Sequence, residues 1–342
     1  LHRQQLPDLK KGAFVPNVFQ PDFRAPPSAR SPLASAAPGA PLSNPAITPA
    51  DTHDYFTEVA DDYRAWSPSY NMHFGFWRLG LNPLRREGML VEMNRAVGRA
   101  LKLGGPGAPS MQQAAQHRRC VIDLGCGAGA TARTLVSEDL SLYAVTVTNV
   151  AVQNSIAARL DARAGVADRM AHIEADYTRT GLPAAQADGA WAVESACYAS
   201  GTAKADFVRE AARLLKPGAR LAVVDGFLLR RRPGRMAGWL HRLWADSWAV
   251  PTLAVRDDFV AALRDNGFED IEVQSLRWRV APSALHIPAL ATRFALAELW
   301  KARGRLSPWR RKHIVASYCA LVLGVFWRDF DYCMVTARRS GG

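Results

Sequence analysis

From residue 119 onward, short continuous apolar runs alternate with stretches whose apolar residues return every three or four positions. Runs of the first kind predict buried strands over residues 120–125, 141–148, 170–175, 189–195 and 220–227. Stretches of the second kind predict helices over 131–136, 152–164 ending at Gly165, 203–215 stopped by Pro217 and Gly218, and 256–266 capped by Gly267. An extended run over 271–280 follows, then a long, largely helical stretch over 289–327. A last strand over 330–338 is marked by strict alternation. Strands alternating with helices of this length predict an α/β fold built on a doubly wound, mainly parallel seven-stranded sheet.

The remainder of the chain fits around that sheet. Residues 1–50 are rich in Pro, Ala and Ser without periodicity, which predicts a disordered leader. They lack the apolar core of a secretory signal, so no export is assigned and the expected location is cytoplasmic; the chain starts at Leu1, which leaves its true start open. Residues 51–102 predict an N-terminal helical cap crowded with aromatic side chains, and 103–118 a loose connector. Residues 119–342 form the main domain, with inserts at about 227–254 and 281–327 that would complete a composite lid. In the first insert Trp239, Leu240, Leu243, Trp244 and Trp248 recur at helical spacing, as a substrate lid or as a core-packing helix. The longest apolar run, 314–327, is 14 residues, short of the roughly 20 a spanning helix needs. The reading is a soluble protein with no transmembrane segment, and basic residues beside that run leave peripheral membrane contact open.

Charge adds one question. The net charge is +12, but lysine supplies only seven of the 43 basic residues, as a GC-rich coding bias would produce. Arginines cluster at Arg230, Arg231, Arg232 and Arg235, and again at Arg303, Arg305, Arg310 and Arg311. Either cluster is a solvated face or a grip for phosphate or an anionic surface. Five cysteines without a C-x-x-C and eight histidines without an H-x-x-x-H suggest neither a disulfide framework nor a metal site.

Asp123-Leu124-Gly125-Cys126-Gly127-Ala128-Gly129 joins the first strand to the first helix. Glycine at every second position lets backbone N–H groups approach a ligand and permits positive φ. The spacing is not the dinucleotide G-x-G-x-x-G, and no P-loop lysine follows. A carboxylate ahead of the loop repels a pyrophosphate and suits an amino group, which favours S-adenosylmethionine over NAD.

With this loop, "AHIEADY" (171–177), "AVESACY" (192–198) and "FVREAARLLKPGARLAVVDGF" (207–227), the chain resembles class I S-adenosylmethionine-dependent methyltransferases over residues 119–280. More narrowly, it resembles the branch of sterol C-methyltransferases, geranyl diphosphate 2-C-methyltransferase and cyclopropane fatty acid synthases. The discriminating run is Glu194-Ser195-Ala196-Cys197-Tyr198, where sterol methyltransferases carry Glu-Ala-Thr-Cys-His and the geranyl diphosphate enzyme Glu-Ser-x-x-Tyr. The resemblance implies that Gly125, Gly127 and Gly129 cradle the methionine part of the cofactor, with Asp123 near its amino group. It puts Asp176 at the adenine N6 and Tyr177 against the ring. No carboxylate ends the second strand to hold the ribose; Thr148 and Gln153 are the counterparts, and a helix-surface amide is the other reading of Gln153.

Ligands in such sheets bind beyond the carboxyl ends of the strands, which puts Glu194 at the substrate. Methylating an alkene carbon leaves a carbocation, which a carboxylate can stabilise and then deprotonate. Tyr198, His73 and Tyr70 join Glu194 as catalytic candidates, a satisfied structural histidine being the other reading of His73, and Tyr63, Phe74, Trp77, Trp244 and Trp248 as pocket walls with cation–π capacity. The expected function is C-methylation of an isoprenoid alkene, with cyclisation left open. S-adenosylmethionine is the cofactor, and magnesium enters only if the substrate is a diphosphate. The alternatives are O- or N-methylation of a small natural product and, less favoured, nucleic-acid methylation, which lacks an NPPY-type tetrapeptide here. The expected partner is a small apolar or prenyl molecule, with no nucleic acid; oligomeric state stays open.

Overall fold

The computed structural model describes residues 47–103, 118–301 and 303–341. All but the edges of the predicted leader and connector lie outside these residues.

Five strands run parallel: β1 (Arg119–Leu124), β2 (Leu142–Thr148), β3 (Met170–Glu174), β4 (Ala187–Val193) and β5 (Leu215–Leu228). Beyond them come β7 (Phe268–Ser275) and β8 (Phe330–Arg339), and β8 runs antiparallel to both β5 and β7. The order across the sheet is β3-β2-β1-β4-β5-β8-β7, and a two-residue β6 (Ala254–Val255) pairs with β5. The predicted seven strands are all present, and β6 is added to them.

The continuous apolar runs arise because both faces of the sheet are covered. One face packs Ile122, Ala190 and Val223 against Phe207, Phe259 and Leu263 of the helices Ala205–Leu214 and Arg256–Asp265. The other packs Val121, Trp191 and Val224 against Met93 and Val97 of the helix Arg86–Ala100 and Val136 of the helix Ala130–Glu138. Each such large side chain contributes about 1.5–3 kcal/mol through its burial.

The extended run predicted over 271–280 divides. Its pairing with β8 ends at Ser275 opposite Cys333, and the Val280 amide then turns back to the Leu276 carbonyl. Residues Arg277–Ala284 are therefore helical. The long helical stretch is likewise two helices, Ile287–Lys301 and Pro308–Leu323.

The N-terminal segment and the inserts meet. Leu240 of the helix Arg235–Ser247 clusters with Cys319 and Leu323. Tyr55 and Val59 of the helix Pro49–Val59 cluster with Ala249, Trp248 and Trp309, and Arg310 forks onto Asp62 at 2.8 and 3.0 Å. Below them Lys204 is fully buried, and its Nζ donates to the carbonyls of Cys197 (3.0 Å), Ala199 (2.6 Å) and Thr252 (2.7 Å).

Candidate active site

The strand order reverses between β1 and β4, so the loops leaving their carboxyl ends diverge and open a crevice. One cavity occupies it, walled by Asp123, Gly125, Cys126 and Gly127 after β1, and by Thr148 and Gln153 after β2. Asp176 and Tyr177 after β3, and Glu194 and Tyr198 after β4, complete that side. Tyr63, Tyr70, His73 and Phe74 from the N-terminal segment and Trp248 from the first insert close it from above.

The glycine loop is shaped by its backbone. Gly125 has φ +82°, and a Cβ there would stand 2.4 Å from Ser195 Cβ. Ser195 cannot retreat, since its hydroxyl donates to the Leu124 carbonyl at 2.6 Å. Replacing Gly125 by Ala is expected to cost about 1–3 kcal/mol of stability and to weaken cofactor binding. Thermal melts and a calorimetric titration with S-adenosylhomocysteine would check both.

Asp123 is buried, and burial pushes its carboxyl up to about 7 against the pull of the Trp191 indole and the Ala132 amide. It has no ion-pair partner among the described residues, so an arriving amino group would find an unneutralised acid. Thr148 donates to Gln153 Oε1 at 2.7 Å. Tyr177 donates to the Ser195 carbonyl at 2.8 Å, and the Asp176 carboxylate accepts from Thr178. An acid matched to an amino group, a glycine turn and an aromatic face along one wall fit S-adenosylmethionine.

Glu194 sits at φ 50°, a left-handed conformation that turns its side chain out of the line of β4. Its Oε1 accepts from the Phe74 amide and from the Tyr332 hydroxyl, both at 2.6 Å. Both hydrogen bonds recorded among the described residues fall on Oε1, which leaves Oε2 for a ligand. Burial pushes this carboxyl up to about 7; Tyr332 and Phe74 oppose it, Asp225 adds to it and Arg86 opposes it. The rings of Phe74 and Tyr332 meet edge to face beside it at 5.5 Å. Tyr198 packs against Phe56 at 5.1 Å, and Tyr63 and Tyr70 belong to the same neighbourhood of the wall.

Four predicted residues stand otherwise. The His73 ring lines the cavity, but both nitrogens are committed, to the Phe74 carbonyl and to Asn94 Oδ1 at 2.9 Å each. Asn94 in turn takes Thr131 and donates to Asn71, so His73 locks the cap to the glycine-loop helix rather than reaching a substrate. Trp77 is off the wall because its indole donates to the Leu81 carbonyl at 3.0 Å, within its own loop. Trp244 packs behind Trp248 at 5.6 Å and does not line the cavity. Gly129 ends the loop at φ 71° as the cap of the next helix and also lies off the wall.

Among the wall or supporting residues that escaped the sequence are Arg86, His313 and Tyr332. Arg86 enters from the first turn of its helix and donates to the Trp66 carbonyl at 2.6 Å. The arginines at 230–235 are absent from the wall; Arg231 pairs with Asp258 at 2.5 Å and Arg230 with Asp329 at 3.4 Å.

Residues 122–223 match the family model of a methyltransferase domain. An O-methyltransferase of Aspergillus sclerotiorum is 28% identical over 237 residues, covering 67% of this chain and 79% of that protein. The 27-O-demethylrifamycin SV methyltransferase of Amycolatopsis mediterranei is 29% identical over 232 residues, covering 64% and 76%. Among solved structures, a cyclopropane synthase from Mycobacterium tuberculosis superposes with a TM-score of 0.66 at 15% identity, covering 86% of this chain and 100% of that one. Geranyl diphosphate C-methyltransferase from Streptomyces coelicolor superposes with a TM-score of 0.61 at 16% identity, covering 85% and 98%. The likeness to these two structures is one of fold. The matched domain and the relatives are those of S-adenosylmethionine-dependent methyltransferases, and the fold is the one their class I members share; these are the enzymes this chain resembles.

Proposed function

We propose that the enzyme methylates an alkene carbon of an isoprenoid, with Glu194 as counter-charge and base. One observation carries this reading: a carboxylate with one oxygen unengaged among the described residues stands in a cavity that also presents the rings of Tyr63, Phe74, Tyr198 and Trp248. Asp123, Gly125, Gly127, Thr148, Gln153, Asp176 and Tyr177 would hold S-adenosylmethionine, which when bound supplies an electrophilic methyl group. The alkene's π pair would form the new carbon–carbon bond as the methyl–sulfur bond pair leaves with the thioether product S-adenosylhomocysteine, and the positive charge is left on the neighbouring substrate carbon. The Glu194 carboxylate and the faces of Tyr63, Phe74 and Tyr198 attract that charge. Oε2 then takes the proton whose C–H pair restores a double bond. The cap and inserts keep water from the cation.

A second reading has its own support, since the relatives above are named for methylating oxygen. There Glu194, with its carboxyl near 7, would deprotonate a substrate hydroxyl. Transfer from isotopically labelled S-adenosylmethionine to prenyl alcohols, prenyl diphosphates and phenols separates the two. Label in a new C–CH3 group, read by NMR, upholds the first reading, and label confined to O–CH3 groups replaces it with the second.

Tyr332 gives a finer check. Its hydroxyl favours the charged carboxylate, so Tyr332→Phe raises the Glu194 pKa further above its ordinary value. The limb on which the rate climbs with pH is expected to move to higher pH, by up to about one unit. A limb that stays in place would separate Glu194 from the titration that controls the rate.

A further inference from the structure

His313 is buried, lines the cavity from the helix Pro308–Leu323, and has one nitrogen occupied and one idle. The Tyr55 hydroxyl lies 2.6 Å from Nδ1, while Nε2 has no hydrogen-bond partner and no exposure to solvent. An unpaired buried nitrogen costs about 1–3 kcal/mol, so a native protein that keeps one at a ligand cavity has a use for it.

The network assigns the proton. The Tyr55 hydroxyl has a single close acceptor, since the Tyr63 hydroxyl is 3.5 Å away. Tyr55 therefore donates to Nδ1, and the ring's own proton sits on Nε2. Burial holds the imidazole far below its ordinary range, at about 4, so the ring is neutral and Nε2–H is a neutral donor. Around it stand Trp66 (5.1 Å between ring centroids), Tyr63 (5.6 Å), Phe294 (6.2 Å) and Trp248 (6.3 Å). These rings fix the imidazole in place, and the indole nitrogens of Trp66 and Trp248 are, like Nε2, buried without a hydrogen-bond partner.

We propose that His313 is the polar anchor of the substrate pocket: once an entering neutral substrate parts the rings that cover it, Nε2–H donates to a carbonyl or hydroxyl oxygen of that substrate, whose apolar body lies against Tyr63, Trp66 and Trp248. The ligand class follows from the donor. A neutral N–H in an aromatic slot suits a ketone, ether or alcohol and offers nothing to a cation. This assignment rests on the reading that the cavity takes a small apolar substrate, though not on the atom that is methylated. Selectivity thus divides between two groups of the pocket wall, with Glu194 at the reacting atom and His313 at the oxygen. Tyr55 is a positioning residue that holds the tautomer.

Equilibrium dialysis with S-adenosylhomocysteine present tests this with two matched probe pairs, farnesol against farnesene and 2-acetylnaphthalene against 2-ethylnaphthalene. The wild type is expected to prefer the oxygen-bearing member about fivefold to tenfold, the worth of one hydrogen bond. His313→Phe should erase the preference while keeping affinity for the hydrocarbon, and His313→Gln, which retains an N–H, should restore part of it. Should His313→Phe fail to fold, Tyr55→Phe serves instead. By letting the proton move to Nδ1 it should weaken 2-acetylnaphthalene, which needs a donor, more than farnesol, which can itself donate. No preference in either pair, or a preference that survives in His313→Phe and Tyr55→Phe, overturns the assignment. A preference confined to the naphthalene pair upholds His313 and tells against the isoprenoid reading.

Discussion

Replacing Glu194 by Gln is expected to cut methyl transfer roughly 10²- to 10⁴-fold, the range typical of losing a positioned base or an electrostatic partner of the transition state. The substitution is close to isosteric. Its carbonyl oxygen can still accept from the Phe74 amide and the Tyr332 hydroxyl, so the local structure has little reason to change. What disappears is the negative charge and the capacity to take a proton. Single-turnover transfer of labelled methyl, with S-adenosylhomocysteine affinity measured alongside, would show a rate loss with binding retained. The pH dependence has a fixed sign. The active form is the carboxylate, so the wild-type rate climbs as pH rises through about 7, where burial has placed this carboxyl. The residual rate of Glu194→Gln should lack that limb. A variant within about fivefold of wild type would remove Glu194 from the mechanism.

Lys204→Met should lower stability by about 3–5 kcal/mol, the scale on which breaking a buried charged network falls. Three carbonyls, of Cys197, Ala199 and Thr252, lose the donor they share in a fully buried place. Methionine fills most of the volume, so the loss reads the hydrogen bonds rather than a cavity. The ammonium also attracts Asp225, whose carboxyl burial raises to about 6 and which accepts from the Cys197 amide at 2.9 Å. Without the lysine that carboxyl rises further. Against a total stability of about 5–15 kcal/mol, a large part of the margin goes. Urea unfolding is the measurement; a midpoint change worth less than about 1 kcal/mol would show that water replaces the ammonium readily.

The sequence made the sheet readable because parallel strands covered on both faces must be apolar along their whole length, as Val121, Ile122 and Ala190 are. Gly165, at φ 69°, marks a helix end for a reason visible in one residue. Glu194 was legible as well, since the end of β4 beside the point where strand order reverses is a place set by topology. Tyr332 and His313 were not. Tyr332 reaches Glu194 across 138 positions, and His313 reaches Tyr55 across 258. No local pattern distinguishes a tyrosine of β8 that faces a carboxylate from one that packs a core. The choice between the two readings of His73 was closed to the sequence for the same reason: Asn94, which occupies its second nitrogen, sits on a helix whose other residues gave no hint of it. Helical spacing in the first insert showed that a face is covered. It did not show that Trp248 meets the cavity while Trp244 packs behind it, against Trp248 and His241.

The position of β8 bears on how the enzyme is made. The ribosome delivers β8 after β7, yet β8 lies between β7 and β5. A nascent chain that has produced β7 holds a gap in its sheet, and Glu194 is already present without the phenol that steadies its charge. Only when the last strand threads into that gap does the carboxylate gain its second hydrogen bond. The full set of hydrogen bonds on this carboxylate is therefore assembled only with the closing of the sheet, from residues 138 positions apart.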